Sequence, residues 1–400
     1  MTQSTPPREG LGVAVVGAGM AGRSHANGYR QAPTVFGPDL PPLRLAAIAD
    51  ANLPLAQDTA RRYGFERAVG SWQEIAADPS IDVVSVVVGN ALHREVVQEL
   101  LAAGKHVLCE KPLAGSLEDA EAMVHAAEKA VGQVAALGYS YRRTPAFAAL
   151  AARVVDGGLG TITNFTGHYW CDYSCNPSAP WTWRYAGGPG SGAVSDLGSH
   201  TLDLAELLCG RVELVSGAQF STVVTERPLP LGHTVGHQVG AVSQETRAVD
   251  NEDTAVFTVR FAGGATGSFS ISRVAFGYAN GQGLEVSGTS GRASLDLQRP
   301  AEYVLDDDQP AVGSRGPRVV TAGPGFPYYA GGLPTDAPGL SYGYSDMFVW
   351  QTRAFLDQVS GVQTALPACA SFADGLHTLR VIDAIAASAR GGGVPVAVEG

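Results

Sequence analysis

The sequence predicts an α/β protein in which a doubly wound parallel sheet is followed by an α/β domain with a large open-faced, mainly antiparallel sheet. Three observations predict this fold. An apolar segment from Gly12 to Val16 runs directly into the glycine-rich segment Gly17 to Gly22. Strand-like and helix-like segments then alternate to about residue 140, and segments of alternating polarity predominate after it. We therefore divide the chain into residues 1–140 and 141–400.

The segment Gly17 to Gly22 has the spacing G-x-G-x-x-G between an apolar strand and a helix-compatible stretch. In this context the pattern predicts a Rossmann dinucleotide-binding turn, with the cofactor pyrophosphate at a helix N-terminus. The first glycine permits a tight turn, the second a close approach of backbone to pyrophosphate, and the third close packing of helix on strand. The predicted cofactor contacts here are Gly17, Gly19, Met20, Ala21 and Gly22.

The predicted second strand, Leu45 to Ala49, ends at Asp50. A carboxylate at this position can accept hydrogen bonds from the adenosine ribose and repels a 2′-phosphate, which favours NAD over NADP. The spacing from the glycines is longer than the usual ~20 residues. The excess lies in Gln31 to Arg44, a predicted loop insertion with four prolines. The alternative is an acidic residue that merely ends a strand.

The remaining elements of the first domain follow from periodicity and end signals. We predict strands at Val83 to Val88, His106 to Cys109 and Val134 to Leu137, and helices at Leu92 to Ala102 and from the N-cap Ser116 to about Ala130. Ligands of such sheets bind beyond the carboxyl ends of the strands. Glu110, Lys111, Asn90 and His93 occupy such ends and are predicted cofactor contacts, although a capping role for Asn90 is the alternative.

After residue 141 the pattern changes. Helices are predicted near Pro145 to Asp156 and Ser199 to Leu208, and two more at Ser345 to Val359 and Ser371 to Arg390. Alternating segments predict five strands, with a hairpin turn at Gly263-Gly264: Val212 to Val224, Thr254 to Phe261, Ala265 to Arg273, Gly283 to Gly288 and Ala293 to Leu297. The segment from Gln298 to Tyr344 is rich in Pro and Gly and is predicted to be a long loop.

Composition excludes several classes of protein. A net charge of −11 argues against nucleic acid and anionic membrane surfaces, and no apolar run approaches the ~18 residues of a membrane helix. The polar first ten residues predict a short disordered tail without signal character. Five cysteines, an odd number, suit a reducing compartment, so we expect a cytoplasmic protein.

Lys111, Asp196 and His200 form a candidate catalytic set. Asp196 and His200 are four residues apart at a predicted helix start, so their side chains share one face. A neutral imidazole can take the O–H proton of a carbinol, and a lysine can stabilise the alkoxide as it forms. The positive charge of Lys111 also disfavours imidazolium, which keeps His200 available as a base. Whether Asp196 shuttles a proton or only orients the substrate stays open.

These motifs together resemble the glucose–fructose oxidoreductase, inositol 2-dehydrogenase and rhizopine-catabolism family over nearly the whole chain. The resemblance rests on the glycine turn, Glu110-Lys111-Pro112, and the segments Gly138 to Pro145, Gly190 to His200 and Asn251 to Asp253. It implies the two-domain fold above, NAD as cofactor, an open sheet often used for oligomerisation, and substrate contacts from Tyr141, Arg142, Trp183 and Arg184. The insertion and Trp183-Arg184 resemble levoglucosan dehydrogenase and other glycoside-oxidising members.

The resulting prediction is an NAD-dependent dehydrogenase that oxidises a secondary alcohol of a sugar, anhydrosugar, glycoside or cyclitol, and that forms a homo-oligomer. The alternatives are a glycosidase or epimerase that oxidises transiently with retained NAD, and a non-catalytic NAD-linked binding protein. No metal is expected, because no second cysteine pair follows the loosely spaced Cys171 and Cys175, and His233 and His237 lie among glycines in a predicted loop. The nearby aromatic residues could stack on a sugar or serve packing: Trp170, Tyr173, Trp181 and Trp183.

Overall fold

The computed structural model describes residues 10–188, 190–232, 240–307, 316–363 and 366–399. The predicted N-terminal tail, apart from Gly10, and the pair His233 and His237 lie outside these ranges. Within them, no helix has the length and apolar character needed to cross a bilayer.

The first part of the chain alternates strands and helices, as predicted. Apolar, β-branched runs such as the one in the fourth strand are buried completely, which is typical of a parallel sheet covered on both faces. The elements are β1 Leu11–Val16, α1 Met20–Gln31, β2 Leu43–Ala49, α2 Leu53–Tyr63, β3 Arg67–Val69, α3 Trp72–Ala77, β4 Val83–Val86, α4 His93–Ala102, β5 His106–Cys109, α5 Leu117–Lys129 and β6 Ala135–Leu137.

The second part is dominated by strands. Its elements are α6 Pro145–Val155, β7 Ile162–Trp170, α7 Ser199–Cys209, β8 Val212–Ser221, β9 Glu226–Pro230, β10 Val242–Ala248, β11 Thr254–Phe261, β12 Thr266–Ser272, β13 Gly281–Gly288, β14 Gly291–Asp296, β15 Glu302–Asp307, β16 Arg318–Thr321, α8 Tyr344–Ser360, β17 Ala370–Ser371, α9 Phe372–Arg390 and β18 Val396–Ala397.

Two large sheets result. The first has the order β17-β6-β5-β4-β1-β2-β3 and is parallel except for β17. The second has nine strands in the order β16-β15-β14-β13-β7-β12-β11-β8-β18, and only the pair β7 and β12 is parallel. In β11, buried residues alternate with exposed ones, so one sheet face packs inward and the other stays open. The predicted fold class is confirmed.

Two predictions for the second part need correction. The segment Gln298 to Tyr344 is not one loop, because it contains β15 and the edge strand β16. The central strand β7 is absent from the predicted set. Its sequence is interrupted by Gly167, where a Cβ would lie 2.6 Å from Thr201 Cγ2 on α7. Packing against α7 requires the glycine, and a strand prediction from residue propensities does not include that requirement.

The C-terminal helices pack back onto the first sheet. Helix α8 lies against α1, and β17 pairs with β6 just before α9 begins. The predicted insertion is tied to α8 by Arg353, whose fully buried guanidinium donates to the carbonyl oxygens of Val35 and Gly37. The proposed domain boundary at residue 140 stays a prediction. The observed packing brings elements from both sides of it around the carboxyl ends of the parallel strands.

Candidate active site

The glycine turn between β1 and α1 has the geometry that the motif predicts. Gly17 has φ +109°, and a Cβ there would lie 2.3 Å from the carbonyl oxygen of Val87. A Cβ at Gly22 would lie 1.9 Å from the carbonyl oxygen of Gly17. Both positions therefore require glycine, the first for its dihedral angle and both for close approach of backbone.

Gly19 is different, because a Cβ at this position would meet no atom within 4 Å. It is the N-cap of α1, and no side chain caps this helix. The free N–H groups and the helix dipole at this end favour an anion in the open space beside Gly19. Met20, 57% exposed, and the half-buried Ala21 follow in the first turn. These residues fit the pyrophosphate of a dinucleotide.

Asp50 lies immediately after β2 and is linked to the same turn. Its Oδ2 accepts a hydrogen bond from the backbone nitrogen of Ala18 at 2.8 Å, and its Oδ1 accepts one from Asn52 at 2.8 Å. The carboxylate is therefore held in a fixed position at the end of the second strand. This is the position at which an acidic residue meets an adenosine ribose.

Glu110 is held from the side of α1. Its Oε1 lies 2.9 Å from His25 Nε2, and His25 Nδ1 lies 3.0 Å from Ser85 Oγ. Burial raises the pKa of Glu110, but the His25 hydrogen bond and the charge of Lys111 outweigh it and hold the pKa below its ordinary value. Because its pKa is lowered, Glu110 stays ionised beside the lysine. The peptide bond that follows, from Lys111 to Pro112, is cis.

Lys111 and Asp196 meet although they are 85 residues apart. Lys111 Nζ donates to the Asp196 carbonyl oxygen at 2.7 Å and to Asp196 Oδ1 at 3.2 Å. Tyr173 donates its hydroxyl to Asp196 Oδ2 at 3.0 Å, and Arg184 Nε lies 3.7 Å from the same oxygen. Burial raises the pKa of Asp196, yet Lys111, Arg184 and Tyr173 together lower it well below its ordinary range. Asp196 is therefore a carboxylate at all ordinary pH values.

The backbone around Asp196 differs from the predicted start of a regular helix. Residues Val194–Gly198 form a π-helical turn that continues into α7. Two carbonyls of this turn accept side-chain hydrogen bonds, that of Asp196 from Lys111 and that of Ser195 from Ser199 Oγ at 2.8 Å. Side-chain donors thus occupy carbonyls that a regular helix would use internally. Such π-helical turns occur frequently at functional sites.

His200 lies one turn further on, in α7, and is 7% exposed. Its ring contacts Tyr141 edge to face at 4.6 Å. Burial, assisted by the positive charge of Lys111 and opposed by Asp196, lowers the pKa of His200 well below the ordinary 6.5. Nδ1 is buried and has no hydrogen-bond partner among the described residues. The imidazole is therefore neutral at physiological pH.

Tyr141 supports the His200 ring through a buried network. Its hydroxyl lies 2.7 Å from that of Tyr169, which donates to Asn280 Oδ1 at 2.7 Å. The ring of Tyr344, the first residue of α8, meets that of Tyr141 edge to face, with 5.8 Å between the ring centres. Residues from three distant parts of the chain thus contact Tyr141.

Trp183 and Arg184 lie at the other side of the cluster. Trp183 is 45% exposed, and the guanidinium of Arg184 lies 4.6 Å from its ring centre. Together with Asp196 they line a cleft whose other walls are Pro112, Gly190, Ser191, Gly192 and Arg273. The nearby Trp181 is engaged elsewhere, because it donates to the Ala248 carbonyl oxygen at 2.9 Å in the β9–β10 hairpin.

Three predicted site residues have other partners. Arg142 does not join the Lys111 cluster, because its guanidinium pairs with the carboxylate of the buried Asp203. Arg142 Nε lies 2.9 Å from Asp203 Oδ2. His93 is buried, and both ring nitrogens lie 3.1 Å from backbone carbonyls next to the strand ends. Asn90 donates to the Gly190 carbonyl oxygen at 2.7 Å, while Gly89 occupies the N-cap that was the alternative for Asn90.

The cysteines form no disulfide with one another. All five thiols are free, and Cys171 is buried 3.7 Å from Asn280 Oδ1, where burial raises its pKa to about 12. Across the described ranges, no group of three or more His, Cys, Asp or Glu side chains could hold a metal ion.

Sequence reasoning missed several residues that the structure brings to the site. They are His25, Tyr169, Tyr173 and Asn280. Tyr173 stood among the aromatic residues considered for stacking, but no local pattern indicated that its hydroxyl reaches Asp196. The others lie on elements distant in sequence, and only the folded chain brings them together.

Comparisons with known proteins agree with this geometry. Residues 11–138 match the model of the oxidoreductase family with an NAD-binding Rossmann fold, and residues 147–294 match the GFO/IDH/MocA C-terminal domain. The chain belongs to the GFO/IDH/MocA family. The predicted family, the oxidoreductase function and NAD as cofactor are thereby confirmed.

Within this family, the chain is similar to levoglucosan dehydrogenase of Pseudarthrobacter phenanthrenivorans, with 36% identity over 95% of this chain and 96% of that protein. Myo-inositol 2-dehydrogenase of Thermotoga maritima is 29% identical over 76% of this chain and 80% of its own length. A solved structure of levoglucosan dehydrogenase in complex with NADH and L-sorbose has a TM-score of 0.89 at 34% identity, covering 98% and 100% of the two chains.

Proposed function

We propose that this NAD-dependent oxidoreductase oxidises a secondary alcohol of a cyclic carbohydrate, with anhydrosugars such as levoglucosan as the first candidates and glycosides, free sugars and cyclitols after them. The observation that carries the proposal is the cluster of Lys111 Nζ with Asp196 Oδ1 at 3.2 Å beside the neutral His200. Similarity to levoglucosan dehydrogenase over nearly the whole chain supports the choice of substrate.

The cofactor-side residues fit a dinucleotide. Gly17, Gly19 and Gly22 admit its pyrophosphate, and Asp50 would hold the adenosine ribose. When bound, NAD supplies the hydride acceptor of the reaction. The uncapped end of α1 and the open space beside Gly19 are the structural features that support this assignment.

The chemical roles follow from the charges at the other side. Oxidation requires the O–H proton to leave the carbinol oxygen, and the neutral His200 is the base that would accept it. The Lys111 ammonium would donate to the same oxygen and stabilise its developing negative charge. Asp196, held as a carboxylate by Lys111, Tyr173 and Arg184, would accept a hydrogen bond from a substrate hydroxyl and orient the ring.

The exposed groups around this centre suit a sugar. The open ring face of Trp183 can pack on sugar C–H groups, and Arg184 beside it can donate to hydroxyls. Arg184 Nε is buried 3.7 Å from Asp196 Oδ2 and makes no hydrogen bond with the described residues, so the guanidinium lies at the edge of the cluster that would meet the substrate. Tyr141 would support the base from behind, whereas Arg142 would act only indirectly through Asp203.

The test is a screen for NADH formation with levoglucosan, other anhydrosugars, glucosides, aldoses and inositols. Levoglucosan-type sugars should give the highest kcat/KM. Conversion of a sugar without net NADH would instead indicate transient oxidation with retained cofactor. Absence of both NADH and conversion across the panel would overturn the proposed substrate class.

Two further expectations, on the oligomeric state and on the location in the cell, belong to the same proposal. We infer a homo-oligomer, because the second sheet presents an open face and exposed apolar side chains such as Val256 and Val319. We also infer a cytoplasmic enzyme, because all five cysteines are free thiols, which suits a reducing compartment. Light scattering of the purified enzyme tests the first inference, and fractionation of cells tests the second.

A further inference from the structure

The segment that leads into Asp196 is rich in glycine. Residues 186–193 include four glycines, and Gly190 and Gly192 have φ values of +72° and +94°. The π-helical turn from Val194 begins directly after them, and no local side chain caps it. Something else must fix the position of this turn, because it carries Asp196 and leads to His200.

Glu252, the residue two positions before β11, supplies the missing cap. Its side chain is buried, and its Oε1 accepts a hydrogen bond from the backbone nitrogen of Val194 at 2.9 Å. Its own carbonyl oxygen accepts a hydrogen bond from Ala193 at 3.2 Å. A carboxylate at the start of a helix satisfies a free N–H and is stabilised by the helix dipole. Here the capping residue comes from 58 positions further along the chain.

Gly192 is shaped to receive this carboxylate. A Cβ at Gly192 would lie 2.3 Å from Oε1 and 2.4 Å from Oε2 of Glu252. Both oxygens therefore occupy the space that any other residue at position 192 would fill. The glycine and the glutamate form one complementary contact in front of the turn that carries Asp196.

The neighbours of Glu252 make it a rigid support. Asn251 Nδ2 donates to the Arg184 carbonyl oxygen at 2.7 Å and to Ser191 Oγ at 3.1 Å. Arg273 donates to Asn251 Oδ1 at 2.6 Å and, through Nε, to Asp253 Oδ1 at 2.8 Å. Arg273 and Asp253 are almost completely buried. Asn251 and Glu252 thus hold Arg184, Ser191, Ala193 and Val194 in place beside β11.

We propose that Glu252 is a positioning residue of the active site, which fixes Asp196 and His200 relative to Lys111 by capping the Val194 turn. Its carboxylate acts on the backbone and contacts no substrate. This inference rests on the proposed function, since its kinetic consequence requires Lys111, Asp196 and His200 to perform the reaction. Displacement of a catalytic group by about 1 Å can lower a rate about 100-fold.

Three substitutions test the cap. Glu252→Ala removes the acceptor, Glu252→Gln retains an oxygen acceptor of the same size, and Gly192→Ala displaces the carboxylate while leaving it present. Asp307→Ala is the matched control, because Asp307 is another buried carboxylate of the second sheet and pairs with Arg153 and Arg318 at its outer edge. Both carboxylate residues are 8% exposed.

The measurements are kcat and KM on the best sugar of the screen, NAD affinity, and amide hydrogen exchange of residues 193–198. Glu252→Ala and Gly192→Ala should lower kcat about 10- to 100-fold and accelerate exchange, with NAD affinity unchanged. Glu252→Gln should stay within about threefold of wild type, because the acceptor for Val194 remains. Asp307→Ala should lower only the melting temperature.

The proposal is overturned if Glu252→Ala keeps wild-type kcat and exchange in folded enzyme, or if it behaves as Asp307→Ala does. A wild-type enzyme that oxidises no sugar of the panel would defeat the proposed function instead. In that case unchanged exchange at residues 193–198 in Glu252→Ala would still refute the cap, and accelerated exchange would still support it.

Discussion

The cofactor side and the substrate side of this site are built in different ways. Around Gly17 to Gly22 the groups proposed to bind the cofactor are backbone N–H groups, and the glycines that expose them lie within one turn of chain. Around Lys111 the groups are side chains, and residues from the segments after β5 and β7 meet the π-helical turn within 4 Å. A backbone-made site is set by a local motif, whereas a side-chain site depends on how distant elements pack.

The largest expected effect is on the substrate side. His200→Ala should lower kcat about 10²- to 10⁴-fold, the usual scale for loss of a general base, with little change in NAD affinity. In wild type the base must be neutral, and its pKa lies well below 6.5. The rate should therefore rise with pH only in the acidic range and be constant near neutrality. Single-turnover pH–rate profiles of both enzymes measure this.

If the rate of His200→Ala rises with pH in the acidic range as it does in wild type, the base is another residue, with Asp196 as the next candidate. Asp196→Ala should also lower kcat. The double variant should lose less than the two separate losses combined, because residues that act as a unit are not additive.

Lys111→Ala should have the next largest effect. Loss of one donor to a developing oxyanion lowers kcat about 10²- to 10³-fold. Asp196 would also lose its closest cation, so its pKa should rise toward the ordinary value. NAD affinity, measured by fluorescence titration of NADH, should change much less than kcat. Near-normal kcat in this variant would show that Glu110-Lys111-Pro112 is a structural motif only.

The same contrast explains what the sequence could predict. The glycine turn, Asp50 and the strand that ends before Glu110 are local features, and their positions follow from a motif and from strand ends. Tyr173 and Glu252 have no such signal. The side chain of each forms a hydrogen bond to a segment at least 20 residues away, and nothing in the local sequence specifies that partner.

Arg142 shows the opposite case, a residue predicted to contact the substrate whose side chain pairs elsewhere. It lies in a segment that resembles the family, yet its guanidinium pairs with Asp203 of α7. Asp203 is on the same helix as His200, one turn further on, and burial raises its pKa despite Arg142. Proximity in sequence to site residues therefore indicated the correct region, and side-chain packing determined which residues face the cleft.

On the cofactor side, Asp50→Ala should have a smaller effect. The variant loses the ribose acceptor and the hydrogen bond from Ala18, so kcat/KM for NAD should fall about 10-fold. The value for NADP should fall less, because repulsion of a 2′-phosphate is also lost. Asp39→Ala, an exposed residue of the insertion, is the control. A wild-type enzyme that prefers NADP would contradict the role of Asp50.

The smallest effect tests whether the substrate side tolerates loss of a single contact. Tyr173→Phe removes the hydroxyl that donates to Asp196 Oδ2 but leaves Lys111 and Arg184 beside the carboxylate. Asp196 should remain ionised, and kcat/KM for the sugar should fall only about 3- to 10-fold, less than the full scale of one hydrogen bond to a charged group, because the two cations still hold the carboxylate.

Tyr342→Phe is the matched control, because among the described residues the Tyr342 hydroxyl bonds only backbone atoms of Ala146 and Pro300. It should lower the melting temperature without changing kcat/KM, whereas Tyr173→Phe should do the reverse. If Tyr173→Phe leaves kcat/KM unchanged, two cations suffice to hold Asp196, and the side-chain site is more redundant than the backbone site. If it lowers kcat/KM as much as Lys111→Ala does, the hydroxyl contacts the substrate directly and the assignment of Tyr173 to Asp196 is incomplete.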